Sequence, residues 1–227
     1  MNFPTDMHAP VRIPSSDRAI GSIIGIATVL AILMMAHHPT VSAHGMPEVV
    51  AEIARKAALD RYVHGGLIAL LAALLFGFGE YSARAGMDRP LVRAALLAYA
   101  IGVAASIGAA LINGIVAPEL SLRYVGADAA ALEQLRHLLR LCWRGNQALA
   151  GLGEIGRGLG VVLWSCALLH LRRNRVLAAF GLLAGGVPAL AIAAGALRLD
   201  LHGAILALSA PAAWNLALAV QLLRGKA

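Results

Sequence analysis

Residues 62–79 read YVHGGLIALLAALLFGFG. Not one Asp, Glu, Lys or Arg interrupts them. Wound as a helix at about 1.5 Å per residue, they cover roughly 27 Å, close to the ~30 Å hydrocarbon core of a bilayer. Five further stretches share this character: Ala19–Ala36, Ala94–Ala117, Asn146–Leu169, Val176–Leu197 and His202–Leu223. Only Glu154 and Arg157 place a formal charge inside any of the six. The chain as a whole is 59% hydrophobic and 14% charged, with a mean hydropathy of +0.75. A soluble domain cannot hide that much apolar surface, whereas a bilayer absorbs it.

The expected fold class is therefore all-α: a polytopic integral membrane protein, a bundle of six transmembrane helices in one domain over residues 19–224. Residues 1–18, with three prolines, read as a loose cytoplasmic tail. Residues 46–61 and 128–144 carry apolar positions at helical spacing with charges between them. They predict two short amphipathic interfacial helices.

The formal charge is +7 and the isoelectric point about 10.2. Nucleic acid is excluded as the reason, because the basic residues gather at span ends and not in a patch interleaved with aromatics. Arg12, Arg18, Arg84, Arg89, Arg93, Arg172, Arg173, Arg175, Arg224 and Lys226 fall on one side of the implied membrane. By the positive-inside rule that side is cytoplasmic, giving N-in and C-in in a bacterial inner membrane. Arg55, Lys56, Arg61, Arg123, Arg136, Arg140, Arg144 and Arg198 lie on the other side, mostly in longer loops where the rule is weaker. A rival reading makes residues 1–43 a cleaved signal peptide, with Val41-Ser42-Ala43 as the small-residue site. The apolar run is longer than such a leader needs and ends well before that site.

Six of the eight histidines (His37, His38, His44, His64, His137 and His202) fall on the expected outer side. Imidazole is the commonest ligand for zinc, copper and iron. His37, His38, His64 and His202 come from three helix ends at similar depth, and His44 lies in the loop beside them. The expectation is a transition-metal site, copper or zinc, formed from His37, His38, His44, His64 and His202. Its geometric requirement is that His64 and His202 lie within about 8 Å of each other, near His37 or His38. The plainer explanation is that histidine suits a membrane interface, and no tight H-x-x-H or H-E-x-x-H spacing is present. His64-Gly65 and His202-Gly203 both open an apolar run, an echo that an old hairpin duplication or chance explains equally well.

Span four carries Asn146, Gln147, Glu154, Arg157 and Trp164. At 100° per residue, Asn146, Arg157 and Trp164 share a face, and Glu154 can pair with Arg157 three residues on. Charges at this depth cost about 2.5–3.5 kcal/mol each, so they belong in the bundle interior or against a water-filled cavity. Asn113 on span three is expected to reach Asn146, completing a buried polar core of Asn113, Asn146, Glu154 and Arg157. The run Gly151-Leu152-Gly153-Glu154-Ile155-Gly156 matches G-x-G-x-x-G, but inside a membrane helix those glycines serve close helix packing and not a dinucleotide. Cys142 and Cys166 are about 36 Å apart along one helix and read as free thiols.

Three functions fit these residues: a membrane metal-binding protein or metalloenzyme; a b-type haem protein in quinol-linked electron transfer, clamped by His64 and His202 with Gly65 and Gly203 making room; and a small-solute or proton-coupled transporter around Glu154 and Arg157. The lipid bilayer is the expected partner, and a homo-oligomer would supply further helices.

Overall fold

The structure, a computed structural model, describes residues 15–199 and 201–225, without the side chains of residues 15, 201 and 202. Among the described residues the chain consists of helices joined by short loops, with no strand. The helices are α1 (Ser15–Ala36), α2 (Met46–Gly86), α3 (Pro90–Leu111), α4 (Ala117–Arg123), α5 (Ala129–His170), α6 (Arg175–Ala193) and α7 (Leu201–Leu223). A π-helical turn, Ile112–Val116, joins α3 to α4 without a break. Counting that continuous rod once, six helices among the described residues are long and apolar enough to cross a membrane. Leu97, Leu183, Val187 and Leu190 are each at least 60% exposed on its flanks, an apolar belt that suits lipid.

Neither amphipathic segment forms an interfacial helix of its own. Residues 46–61 are the first turns of α2 and residues 129–144 the first turns of α5. Each of these helices, at 41 and 42 residues, is roughly 60 Å long, about twice the hydrocarbon thickness. The extra turns stand beyond the apolar spans at the end of the bundle that holds residues 37–45, here called the histidine end. Their apolar faces pack on each other: Val50 of α2 is buried with Leu132 and Leu135 of α5, and Leu120 and Tyr124 close the cluster. The amphipathic pattern found a protein partner, which satisfies it as well as a lipid surface does.

Within the spans, α3 and α5 share the broadest interface, and glycines set its closeness. A Cβ on Gly156 would stand 2.7 Å from Gly102 Cα, and one on Gly102 would stand 2.5 Å from the Arg157 amide nitrogen. Gly156 belongs to the G-x-G-x-x-G match and serves helix packing as expected, with Gly102 of α3 as its counterpart. Below this contact an aromatic core fills the other end of the bundle. Phe78 lies nearly parallel to Trp164, with ring centroids 4.7 Å apart, and to Trp214 at 6.1 Å. Both indole N–H groups are satisfied, Trp164 donating to Ser82 Oγ at 3.0 Å and Trp214 to the Leu177 carbonyl at 3.1 Å. Asp17 of α1 and Arg84 of α2 pair at that same end.

Candidate functional site

The aromatic core does not extend to the histidine end. There α1, α2, α3, α5 and α7 line an open cavity of about 570 Å³. His38, His64, Asn113, Asn146 and Gln147 line its outer part, and Tyr99, Glu154 and Arg157 its floor. Leu67, Leu71, Leu74, Ala109, Ala150 and Leu208 form an apolar waist between them.

The sequence His37-His38-Pro39 ends α1 and splits the two histidines. Pro39 has no N–H and disfavours helical backbone at the residue before it, so α1 closes at Ala36. Successive helical residues point about 100° apart. His37 stays on the outer surface, its Nδ1 donating to the Leu33 carbonyl at 2.8 Å. His38 turns inward to line the cavity. It meets His64 of α2, with the two Nε2 atoms 3.1 Å apart and the rings nearly perpendicular.

The tautomers follow from the partners. His64 Nδ1 lies 2.8 Å from the Asp60 carbonyl oxygen, and His38 Nδ1 lies 2.9 Å from that of Pro39. A carbonyl only accepts, so each Nδ1 carries the proton and each neutral ring turns a lone pair outward on Nε2. The two lone pairs thus converge on one point. Asn113 stands beside them, its Nδ2 3.1 Å from His64 Nε2 and 3.5 Å from His38 Nε2, donating to them.

The π turn holds Asn113 there. Pro118 cannot donate to the Gly114 carbonyl one turn earlier, and the backbone widens over Ile112–Val116. Gly114 is buried against His64: a Cβ there would fall 2.2 Å from the His64 Cβ. The sequence offered a signal for this, an Asn-Gly pair shortly before a proline inside an apolar span, but no way to know which helix it faced.

Of the expected metal ligands, the structure brings together His38 and His64. His37 is exposed beside an apolar groove between α1 and α2, and His44 is exposed in the loop. His137 is also exposed, 3.7 Å from Glu133. The His202 side chain, expected beside His64, lies outside the described residues. Among the described residues no group of three or more His, Cys, Asp or Glu side chains gathers as a metal site.

The buried polar core divides. Glu154 and Arg157 pair on one face of α5 as expected, both largely buried. Asn146 lines the same cavity, but no hydrogen bond joins it to Asn113, which has gone to the histidines. Gln147 donates to the Leu199 carbonyl at 3.0 Å and ties α5 to the segment before α7.

The loop after α1 covers the cavity mouth, with Pro39, Thr40 and Val41 in its lining. Glu52 of α2 holds this loop by accepting from the backbone amides of Ser42 at 3.1 Å and Ala43 at 2.9 Å. Lys56 pairs with Glu52 and donates to the Thr40 carbonyl at 2.6 Å. The hydrogen bond from Lys56, with those from the loop amides, lowers the Glu52 carboxyl from 4.5 to about 2. Glu52 lies on the protruding turns of α2, outside the apolar span.

No protein-family model, no curated protein and no solved structure matches this chain.

Proposed function

We propose that this is a multi-pass protein of a bacterial inner membrane, N-in and C-in, that binds a transition metal, copper or zinc, through His38 and His64 at its outer end. The observation that carries the reading is the 3.1 Å approach of two Nε2 atoms whose Nδ1 partners are both backbone carbonyls. Two lone pairs so close repel unless a cation, or the N–H groups of Asn113, stands against both. Fixing the tautomer through a carbonyl on the far nitrogen is also the usual support of a metal-bound imidazole. Nitrogens at this separation can both stand about 2.0–2.1 Å from one ion, at an angle between those of square-planar and tetrahedral coordination. Asn113 would turn its amide oxygen to the ion as a third donor. The orientation rests on the arginines at the other end of the bundle.

The haem alternative is less well supported, since His38 and Asn113 already crowd the His64 nitrogen that would face the macrocycle. A transporter has to open its cavity to both sides, and the Phe78–Trp164–Trp214 stack closes one of them.

Metal analysis of detergent-purified protein, with an absorption spectrum, tests the proposal. We expect one equivalent of copper or zinc in the parent, and a loss of at least tenfold in affinity in His38→Ala and His64→Ala. His37→Ala and His44→Ala should keep the metal. A parent that stays metal-free after incubation with either ion, while folded, would sink the reading, and a Soret band would replace it with haem. A shared proton between the rings is the outcome left if neither ion binds.

A further inference from the structure

The floor of the cavity holds polar atoms that the protein leaves unsatisfied. Arg157 of α5 donates to Glu154 through Nη2, but its Nε is buried with no partner. Across the cavity, Asn215 of α7 reaches Thr28 Oγ1 through Nδ2 at 3.5 Å, while its Oδ1 is buried with no partner. Tyr99 joins them in the lining, and no hydrogen bond to its hydroxyl is present among the described residues. Buried polar groups are nearly always partnered, and both residues line the same cavity although these two atoms are sealed from it, so a guest that draws either side chain round would satisfy them.

The chemistry of the occupant follows. Glu154 already balances Arg157, so a charged guest would stay uncompensated in a dry setting, and the guest is neutral. The floor offers a donor in Arg157 and, in Asn215, an amide that accepts or, turned over, donates. A hydroxyl or a carbonyl oxygen answers both. The waist is apolar. Along α5 the lining runs from Trp143 to Val161, eighteen residues or about 27 Å, so the cavity is long and narrow. A narrow apolar passage of this length suits a flat six-membered ring that carries an alkyl chain. The volume lies within the usual range for small-molecule sites.

We propose that the inner half of this cavity binds an uncharged ring compound of the phenol–quinone class, its oxygen placed between Arg157 and Asn215. The metal reading is not needed for this. The shared chemistry admits two sources, a water-borne phenol or a membrane-borne quinone.

The test uses the full chain in lipid nanodiscs, titrated with a benzoquinone bearing a short alkyl chain and, separately, with phenol. Tryptophan fluorescence and thermal stabilisation report binding, because Trp164 packs against Tyr99 at the cavity floor. Saturable binding is expected, at least tenfold weaker in Asn215→Leu and abolished in Leu208→Trp, which fills the waist. The parent stripped of metal by a chelator should bind as the metal-loaded protein does, which separates this proposal from the metal site. Saturation by the alkylated quinone alone supports the membrane-borne source, and saturation by phenol supports the water-borne one. Leu208→Trp is the variant to read if Asn215→Leu unfolds, because it adds apolar contact and removes no polar partner. Absence of saturable binding for both probes, or binding that Leu208→Trp leaves intact, overturns the proposal and leaves water as the occupant.

Discussion

Gly114 positions His64 by lacking a side chain. A methyl group there would overlap the His64 Cβ and Cγ, so Gly114→Ala has to push the imidazole aside or part α2 from the π turn. Overpacking of this kind costs about 1–3 kcal/mol. Gly65, the next residue on α2, meets nothing within 4 Å. Gly65→Ala should therefore be neutral, or stabilising by about 0.5–1 kcal/mol from helix propensity alone. Thermal unfolding in detergent with parallel metal titration checks the pair. Gly114→Ala should lower the midpoint and lose the metal, and Gly65→Ala should do neither. Equal behaviour of the two variants would remove Gly114 from the site. The sequence drew attention to Gly65 as the room-making glycine because it adjoins a histidine. The glycine that touches the ring lies fifty residues further on, and only the fold brings it there.

At the scale of elements, the segment from His37 to Gly45 acts as a strap, and Glu52 is its anchor. The sign of its pH dependence is fixed by the lowered carboxyl. The contribution of Glu52 is complete above the ordinary carboxylate value of 4.5 and is lost as the pH falls toward about 2. Amide exchange of residues 40–43, corrected for intrinsic rates, should show equal protection at pH 7 and pH 5 and a loss on approach to the lower value. Glu52→Gln should lose several-fold protection already at neutral pH while the spans stay protected. Protection that survives in the variant would mean that Lys56 or the cavity lining holds the strap unaided. Periodicity located both amphipathic stretches, and it located them as helix. It could not say that they continue into α2 and α5, because an apolar stripe reads the same whether it faces lipid or another stripe. The His-His-Pro end of α1 was equally visible, but the 100° turn that separates the roles of the two histidines acquires meaning only once α2 stands beside it.

For the molecule as a whole, two ends of unequal packing decide what the bundle can do. One end is filled by Phe78, Trp164 and Trp214, the other is hollow, and the Glu154–Arg157 pair sits on the boundary. The spans and this pair were legible because hydropathy and charge are local properties of the chain. The hollow was not, since it arises from five helices that fail to meet. A pair at such a boundary either joins helices or serves the cavity, and a double-mutant cycle tells these apart. Glu154→Leu alone strands a largely buried guanidinium and should cost about 3–5 kcal/mol. Adding Arg157→Met removes the stranded charge and should recover most of that loss, because a buried pair replaced by apolar groups of similar volume is often neutral. If the double variant unfolds like the parent but no longer responds to the alkylated benzoquinone, the pair is kept for the cavity's occupant. If it stays several kcal/mol below the parent, the pair is a structural joint of α5 and its depth in the membrane needs no ligand to explain it.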